Sequence, residues 1–240
     1  GNIYPTLRTI VAAYQMIRPG EIARAHRHTP NALRLILEGR GSSTVVDGVR
    51  VPMNPGDVLL TPNWSWHSHE NGGNGDCYWL DFLDVPLVHL LEPMFFESHP
   101  QGLESGVRDM QWAPIAFPWS ETLERLDSAH AARHGLCERE IELGSPALAT
   151  IALHVQRLAP NARTRPHRTT ANNVFAVIDG FGRTRTDGQW FDWSFGDVVA
   201  VPAWRPYQHE TSANAHLLRV SDAPTMRSLG FLREAFDDED

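Results

Sequence analysis

One pattern in this chain is written twice. Arg24-Ala25-His26-Arg27-His28-Thr29-Pro30-Asn31 is matched by Arg165-Pro166-His167-Arg168-Thr169-Thr170-Ala171-Asn172. Glu38-Gly39-Arg40-Gly41 is matched by Asp179-Gly180-Phe181-Gly182, and Gly56-Asp57-Val58-Leu59-Leu60-Thr61-Pro62-Asn63-Trp64 by Gly196-Asp197-Val198-Val199-Ala200-Val201-Pro202-Ala203-Trp204. The offset shrinks by one residue between the blocks, as a deleted turn residue requires. Self-similarity on this scale means two copies of one folding unit, and 240 residues suffice for two small domains.

Within each copy the units are short strands. Thr9–Tyr14, Leu35–Leu37, Ser43–Val46, Val58–Leu60 and Tyr78–Leu80 are rich in β-branched, aromatic and apolar residues, and Pro19-Gly20, Gly39–Gly41, Asp47-Gly48 and Pro55-Gly56 separate them. Asp47-Gly48 between two apolar runs predicts a two-residue hairpin. Strands at this spacing imply an antiparallel sandwich or barrel. The organisation expected is a first barrel over 1–85, a connecting segment over 86–145 and a second barrel over 146–240. One helix is expected in the connection, capped by Ser120, with Glu121 and Glu124 in its first turn, Leu123 and Leu126 on its apolar face and Gly135 after its end.

A net charge of −8 excludes a general nucleic-acid binder, which needs clustered cations to neutralise phosphates. Part of that charge lies in Asp237-Asp238-Glu239-Asp240, read as a solvated tail. Cys77 and Cys137 form no CxxC pair and no disulfide framework, so a reducing cytoplasm is expected. No apolar run reaches the roughly 18–20 residues of a membrane span, and no signal peptide is visible. The opening Gly1–Pro5 runs at once into an apolar stretch, as it would if the chain began inside a longer protein.

Twelve histidines is a high count. His89, His99, His130, His134, His154 and His216 read as surface or structural residues. His26, His28 and His67 read as metal ligands. Residues two apart on a strand project from one face, so His26 and His28 can bind one ion side by side, and closure of a barrel can bring His67 opposite them. Three imidazoles leave open coordination positions, unlike a closed structural zinc site.

Gly20-x5-His26-x-His28 and Gly56-x5-Pro62-x4-His67-x3-Asn71 resemble the two motifs of the cupin superfamily. Where a carboxylate ligand is usual, this chain has Asn31-Ala32-Leu33. With Arg34, Trp64-Ser65-Trp66-His67-Ser68-His69 and Trp79-Leu80-Asp81-Phe82-Leu83-Asp84 as flanks, the chain resembles the gentisate 1,2-dioxygenase family, including salicylate and 1-hydroxy-2-naphthoate dioxygenases. The resemblance implies an all-β bicupin of two double-stranded β-helix (jelly-roll) barrels with a short helical connection. It implies one Fe(II) per chain in the first barrel and cleavage of a 2-hydroxybenzoate by O2 in aromatic compound degradation. It also implies a homotetramer, and a longer N-terminal segment in relatives that contributes to the substrate site.

Four further residues are candidates. Arg34 can pair with a substrate carboxylate or form a salt bridge at the barrel rim. His69 can hydrogen-bond to bound substrate or lie exposed in a loop. Gln15 and Asp81 are polar residues in apolar strand patterns, and the resemblance places them near the metal, where they could hold a ligand histidine. Val11 and Ala13, smaller than their counterparts in relatives, suggest a roomier pocket. In the second copy His167 survives, but Thr169 and Tyr207 replace the other two ligands, so that half is expected to be structural. A different metal-dependent cupin enzyme (isomerase or lyase) and a non-catalytic binding bicupin are the competing readings.

Overall fold

The computed structural model describes residues 5–110, 113–132, 135–144 and 148–236. The acidic tail, residues 1–4 and His134 lie outside the described residues. The chain divides into a first unit built around Val11–Ser120 and a second built around Thr6–Ile10 and the described part of Glu121–Asp240.

The first unit contains β1 (Val11–Ile17), β2 (Ile22–His28), β3 (Ala32–Glu38), β4 (Ser42–Val46), β5 (Val49–Met53), β6 (Val58–Thr61), β7 (His67–Asn71) and β8 (Cys77–Leu83). Then come α1 (Val85–Leu91), β9 (Phe96–Ser98), β10 (Arg108–Asp109) and β11 (Ala116–Phe117), followed by α2 (Trp119–Ser128), which begins at the end of the first unit and belongs mostly to the second. Two sheets form, in the orders β1-β8-β3-β6-β11 and β10-β5-β4-β7-β2-β9. They are separate open sheets, and the first eight strands have the jelly-roll order of a double-stranded β-helix.

The second unit contains β12 (Arg139–Leu143), β13 (Ala152–Leu158), β14 (His167–Thr169), β15 (Asn173–Asp179), β16 (Phe181–Thr186) and β17 (Gln189–Ser194). It continues with β18 (Val198–Val201), β19 (Tyr207–Glu210), β20 (Ala215–Ser221), α3 (Ala223–Ser228) and β21 (Glu234–Phe236). Its sheets run β12-β13-β20-β15-β18 and β17-β16-β19-β14-β21. Replacing β1–β8 by β13–β20 reproduces the first unit's order, so the sequence repeat is a repeat of topology.

Turn chemistry explains the register. Asp47 and Gly48 take φ 46° and 75°, and Asp187 and Gly188 take 49° and 78°, the left-handed pair that a tight hairpin requires. The deleted residue lies in the β3–β4 turn. Ser43 faces Glu70 across β4–β7, and Arg183 faces Glu210 across β16–β19. Gly182 therefore corresponds to Ser42 rather than to Gly41.

The stretch 86–145 contributes more than one helix. β9, β10 and β11 extend the sheets of the first unit, and β12 extends one of the second. α2 starts at Trp119, one residue before the expected cap. Its first N–H donates to Asp57 Oδ1 at 2.9 Å, so a carboxylate distant in sequence does the capping. Thr122 and Leu126 are its buried residues; Leu123 is only half-buried, because the buried face is turned from the one expected. The helix ends at Ser128, well before Gly135.

The interior between the first unit's sheets is graded along the strands. Ile17, Ile36, Val51, Met53, Leu59, Cys77 and Trp79 form an apolar cluster. Two residues further along the same strands, on the same face, stand Gln15, Arg34, Thr61 and Asp81. Half of the inward face is therefore core. The other half carries polar groups where a core would be expected.

Candidate metal centre

The polar half opens into a cavity of about 530 Å³, lined by His26, His28, His67, Gln15, Arg34, His69, Trp79, Asp81 and Leu83 among others. β2 and β7 are paired with His26 opposite His67, beyond a register shift between Ala23 and His26. One imidazole nitrogen from each of His26, His28 and His67 lies within 4.8 Å of the others. The ring centroids are 4.3 Å apart for His26–His67, 4.8 Å for His28–His67 and 5.7 Å for His26–His28.

Each ring is oriented by the main chain. Nδ1 lies 2.9 Å from the Arg24 carbonyl for His26, 2.9 Å from the Pro30 carbonyl for His28 and 3.0 Å from the Ser65 carbonyl for His67. A carbonyl only accepts, so each Nδ1 carries the proton and each Nε2 keeps its lone pair for a ligand bond. Burial reinforces neutrality. It lowers the pKa of His28, and it drives His67 to about 2 with help from the nearby Arg34 charge. Metal binding requires neutral imidazoles.

Arg34 is buried, with 3% of its side chain exposed, and is not at a rim. Its Nε donates to Asp81 Oδ1 at 3.2 Å and its Nη1 to Thr61 Oγ1 at 2.8 Å. The expectation that Asp81 holds a ligand histidine is corrected: carbonyl groups already occupy those Nδ1 atoms, and Asp81 turns to Arg34, its cross-strand neighbour. Gln15 lines the cavity from an exposed position on β1 and is not a buried residue in need of a partner.

His69 is buried on β7, not exposed in a loop. Burial, then the Arg34 charge, hold its pKa well below the usual value. Its Nδ1 and the Nε1 of Trp79 are buried with no hydrogen-bond partner among the described residues, and the two rings are 5.6 Å apart. Orphaned buried polar atoms are costly; these two border the cavity and are set to serve what enters it. Trp79 had no role assigned from the sequence, where it read as one apolar strand residue among several.

Phe96 was also missed. It stacks on His26 at 5.2 Å from β9, a strand with no signal of its own. His89, His99, His130, His154 and His216 stand apart from the ligand group. His216 Nδ1 donates to Asp179 Oδ1 at 2.8 Å.

The corresponding place in the second unit carries different groups, joined to one another. His167 Nδ1 bonds to the Tyr207 hydroxyl at 3.0 Å, and the charge of the buried Arg219, which pairs with Glu140 at 3.3 Å, acts on Tyr207. His209 bonds to Thr184 at 2.8 Å. Thr169 and Tyr207 stand here in place of two imidazoles, and the Arg219 guanidinium stands where the first unit has Asp81.

This geometry agrees with what known proteins resemble. The cupin domain family matches residues 13–83 and 154–221. A gentisate 1,2-dioxygenase of Aquipseudomonas alcaligenes is 34% identical over 95% of this chain and 74% of its own length. A 5-aminosalicylate 1,2-dioxygenase of Comamonas sp is 35% identical over 97% of this chain and 70% of its own. The crystal structure of a salicylate 1,2-dioxygenase from Pseudoaminobacter salicylatoxidans, with gentisate adducts, superposes with a TM-score of 0.87 at 29% identity, covering all of this chain and 75% of that one.

Proposed function

Because the chain belongs to the cupin family and, within it, to the gentisate 1,2-dioxygenase family of ring-cleaving enzymes, we propose that it binds one Fe(II) through His26, His28 and His67 and cleaves a 2-hydroxybenzoate. The observation that carries this reading is the ligand set itself: three neutral imidazoles, no carboxylate among them, facing one cavity beside a buried arginine. Such a set leaves a divalent ion its full charge, which favours a chelating anion. A 2-hydroxybenzoate offers a carboxylate and an ortho hydroxyl. Bound there by His26, His28 and His67, Fe(II) would hold both oxygens and relay electron density from the substrate ring, which is what is oxidised, to O2. The ring opens between the carboxyl-bearing and hydroxyl-bearing carbons and takes up both oxygen atoms of O2, giving maleylpyruvate if the substrate is gentisate.

The chain's own groups have separable tasks. Arg34, with Nε and Nη1 fixed by Asp81 and Thr61, presents a guanidinium that does not have to be ordered when a carboxylate arrives. Asp81 positions Arg34. Neutral His69 brings one N–H donor to the phenolate side of the substrate, and Gln15 contributes an amide at the cavity wall. The apolar walls, Trp79 and Leu83, exclude water from the ring.

Only the first unit is assigned a metal; Tyr207, Thr169 and Arg219 support a structural role for the second. A homotetramer is proposed on family grounds. Two free thiols, Cys77 and Cys137, suit a reducing cytoplasm, and no helix among the described residues is long and apolar enough to cross a membrane. The test is anaerobic reconstitution with Fe(II), followed by O2 uptake with gentisate, salicylate and 1-hydroxy-2-naphthoate. Uptake with one of them is expected; uptake with none would turn the assignment toward an isomerase, a lyase or a binding protein.

A further inference from the structure

Between the two ligands of β2, on the opposite face of the strand, lies Arg27. Its guanidinium carbon is 4.6 Å from the centroid of the Trp64 ring and 4.5 Å from that of Trp66. Its Nε and Nη2 both donate to Glu97 Oε2, at 2.9 and 2.6 Å. One side chain thus joins three segments: β2, which bears His26 and His28; the loop that runs straight into His67; and β9, where Glu97 is the cross-strand partner of Arg27.

The backbone follows the same path. Trp64 takes φ 61°, a left-handed conformation that a bulky residue adopts only when held there, and its N–H donates to the His28 carbonyl at 2.9 Å. Ser65, next in the chain, supplies the carbonyl that orients His67. Trp66 packs edge-on against His99 at 4.8 Å. The loop's conformation, the direction of the His67 ring and the position of His28 are therefore coupled.

The second unit is an internal control. Trp204 repeats the left-handed conformation at φ 63°, and its N–H donates to the Thr169 carbonyl at 2.6 Å. Arg168 lies 5.5 Å from the Trp204 ring. But Pro206 stands where Trp66 does, and Ala235 is the cross-strand partner of Arg168 where Glu97 partners Arg27. At these two positions the second ring and the carboxylate stand in the unit whose histidine triad is intact, and Pro206 and Ala235 replace them in the other. Phe236 stacking on His167 at 4.8 Å, by contrast, matches Phe96 on His26, so general packing has been retained in both units.

We propose that Arg27, clamped between Trp64 and Trp66 and tied to Glu97, is the positioning residue that locks the third metal ligand against the first two. It touches neither metal nor substrate; it acts through the strand and loop that carry the ligands. The inference rests on the metal assignment above. Groups of this kind around metal sites alter affinity by roughly 10–100-fold when removed.

The test compares Arg27→Ala, Arg27→Lys, Glu97→Gln and the matched control Arg168→Ala, all as full chains. Each is loaded anaerobically with Fe(II), and its metal content and rate of metal loss to excess chromogenic chelator are measured. Each is also loaded with Co(II), whose visible spectrum reports ligand geometry without turnover. Arg27→Ala is expected to lose metal at least tenfold faster with an altered cobalt spectrum, Arg27→Lys to recover part of the difference, and Arg168→Ala to match the parent. Metal loss from Arg27→Ala at the parental rate would overturn the clamp, as would equal acceleration in Arg168→Ala, which would mark a general loss of stability. If Arg27→Ala does not fold, Glu97→Gln decides: faster loss supports the clamp, an unchanged rate overturns it. A parent protein that takes up no metal would instead refute the metal assignment.

Discussion

Asp81→Asn isolates the energetics of the cavity wall. Arg34 is 3% exposed and Asp81 14%, with Nε and Oδ1 3.2 Å apart. Replacing the carboxylate by an amide leaves a buried guanidinium that still donates to the Thr61 hydroxyl but has lost its counter-charge. Breaking a buried ion pair from one side costs roughly 3–5 kcal/mol, because the other charge stays uncompensated. Water reaches one flank of Asp81, so the lower end applies, about 3 kcal/mol. Arg34→Met is expected to cost a similar amount. Arg34→Met with Asp81→Asn together should cost much less than the sum, since no unpaired charge remains. Urea denaturation of the four proteins at constant pH gives the cycle, with a coupling energy expected to exceed ~2 kcal/mol. Additivity within about 0.5 kcal/mol, the behaviour of independent sites, would refute the argument that Asp81 serves Arg34.

His67→Ala should abolish both iron retention, measured as metal per chain, and turnover. Restoring the lost ligands of the second unit with Thr169→His and Tyr207→His should leave the stoichiometry at one metal per chain, because Arg219 still places a cation there; a second equivalent of bound metal would show that it does not. His209 is buried and its pKa is lowered to about 3, first by burial and then by the Arg219 charge. The unfolded chain therefore takes the proton first, and stability is lost as pH falls from about 6.5 toward 3, by about 2 kcal/mol between pH 6.5 and 5; His209→Gln should flatten the urea midpoint over that range. Gly56→Ala should cost ~2–4 kcal/mol, from a φ of +86° and a Cβ that would lie 2.7 Å from Trp119. Gly48→Ala, at φ +75° with open space around it, should cost only about 1 kcal/mol.

What could be read in the sequence was whatever has a local signature. The Asp47-Gly48 hairpin, the His26–His28 spacing and the repeat itself are such features, and each is present in the structure. Contacts between distant segments left no local trace. Asp57 caps α2 across 62 residues of chain, and Glu97 and Phe96 reach β2 from a segment with no periodicity. The role of Asp81 was misjudged for a related reason: polarity in a strand predicts a partner but not which one, and the cross-strand register chose Arg34. α1 was not expected, although Pro86 at its start is a common opening residue for a helix.

The carbonyl groups that aim the three ligand rings belong to Arg24, Pro30 and Ser65, each two residues from its histidine. No side chain is needed for that task, so the instruction lies in the path of the backbone. Exhaustive substitution at positions 24 and 65 should then be well tolerated for metal binding, while insertion or deletion of one residue beside any of the three histidines should not. A centre built this way can drift widely in the composition of its surroundings and keep its coordination geometry, yet a single change of loop length is enough to extinguish it.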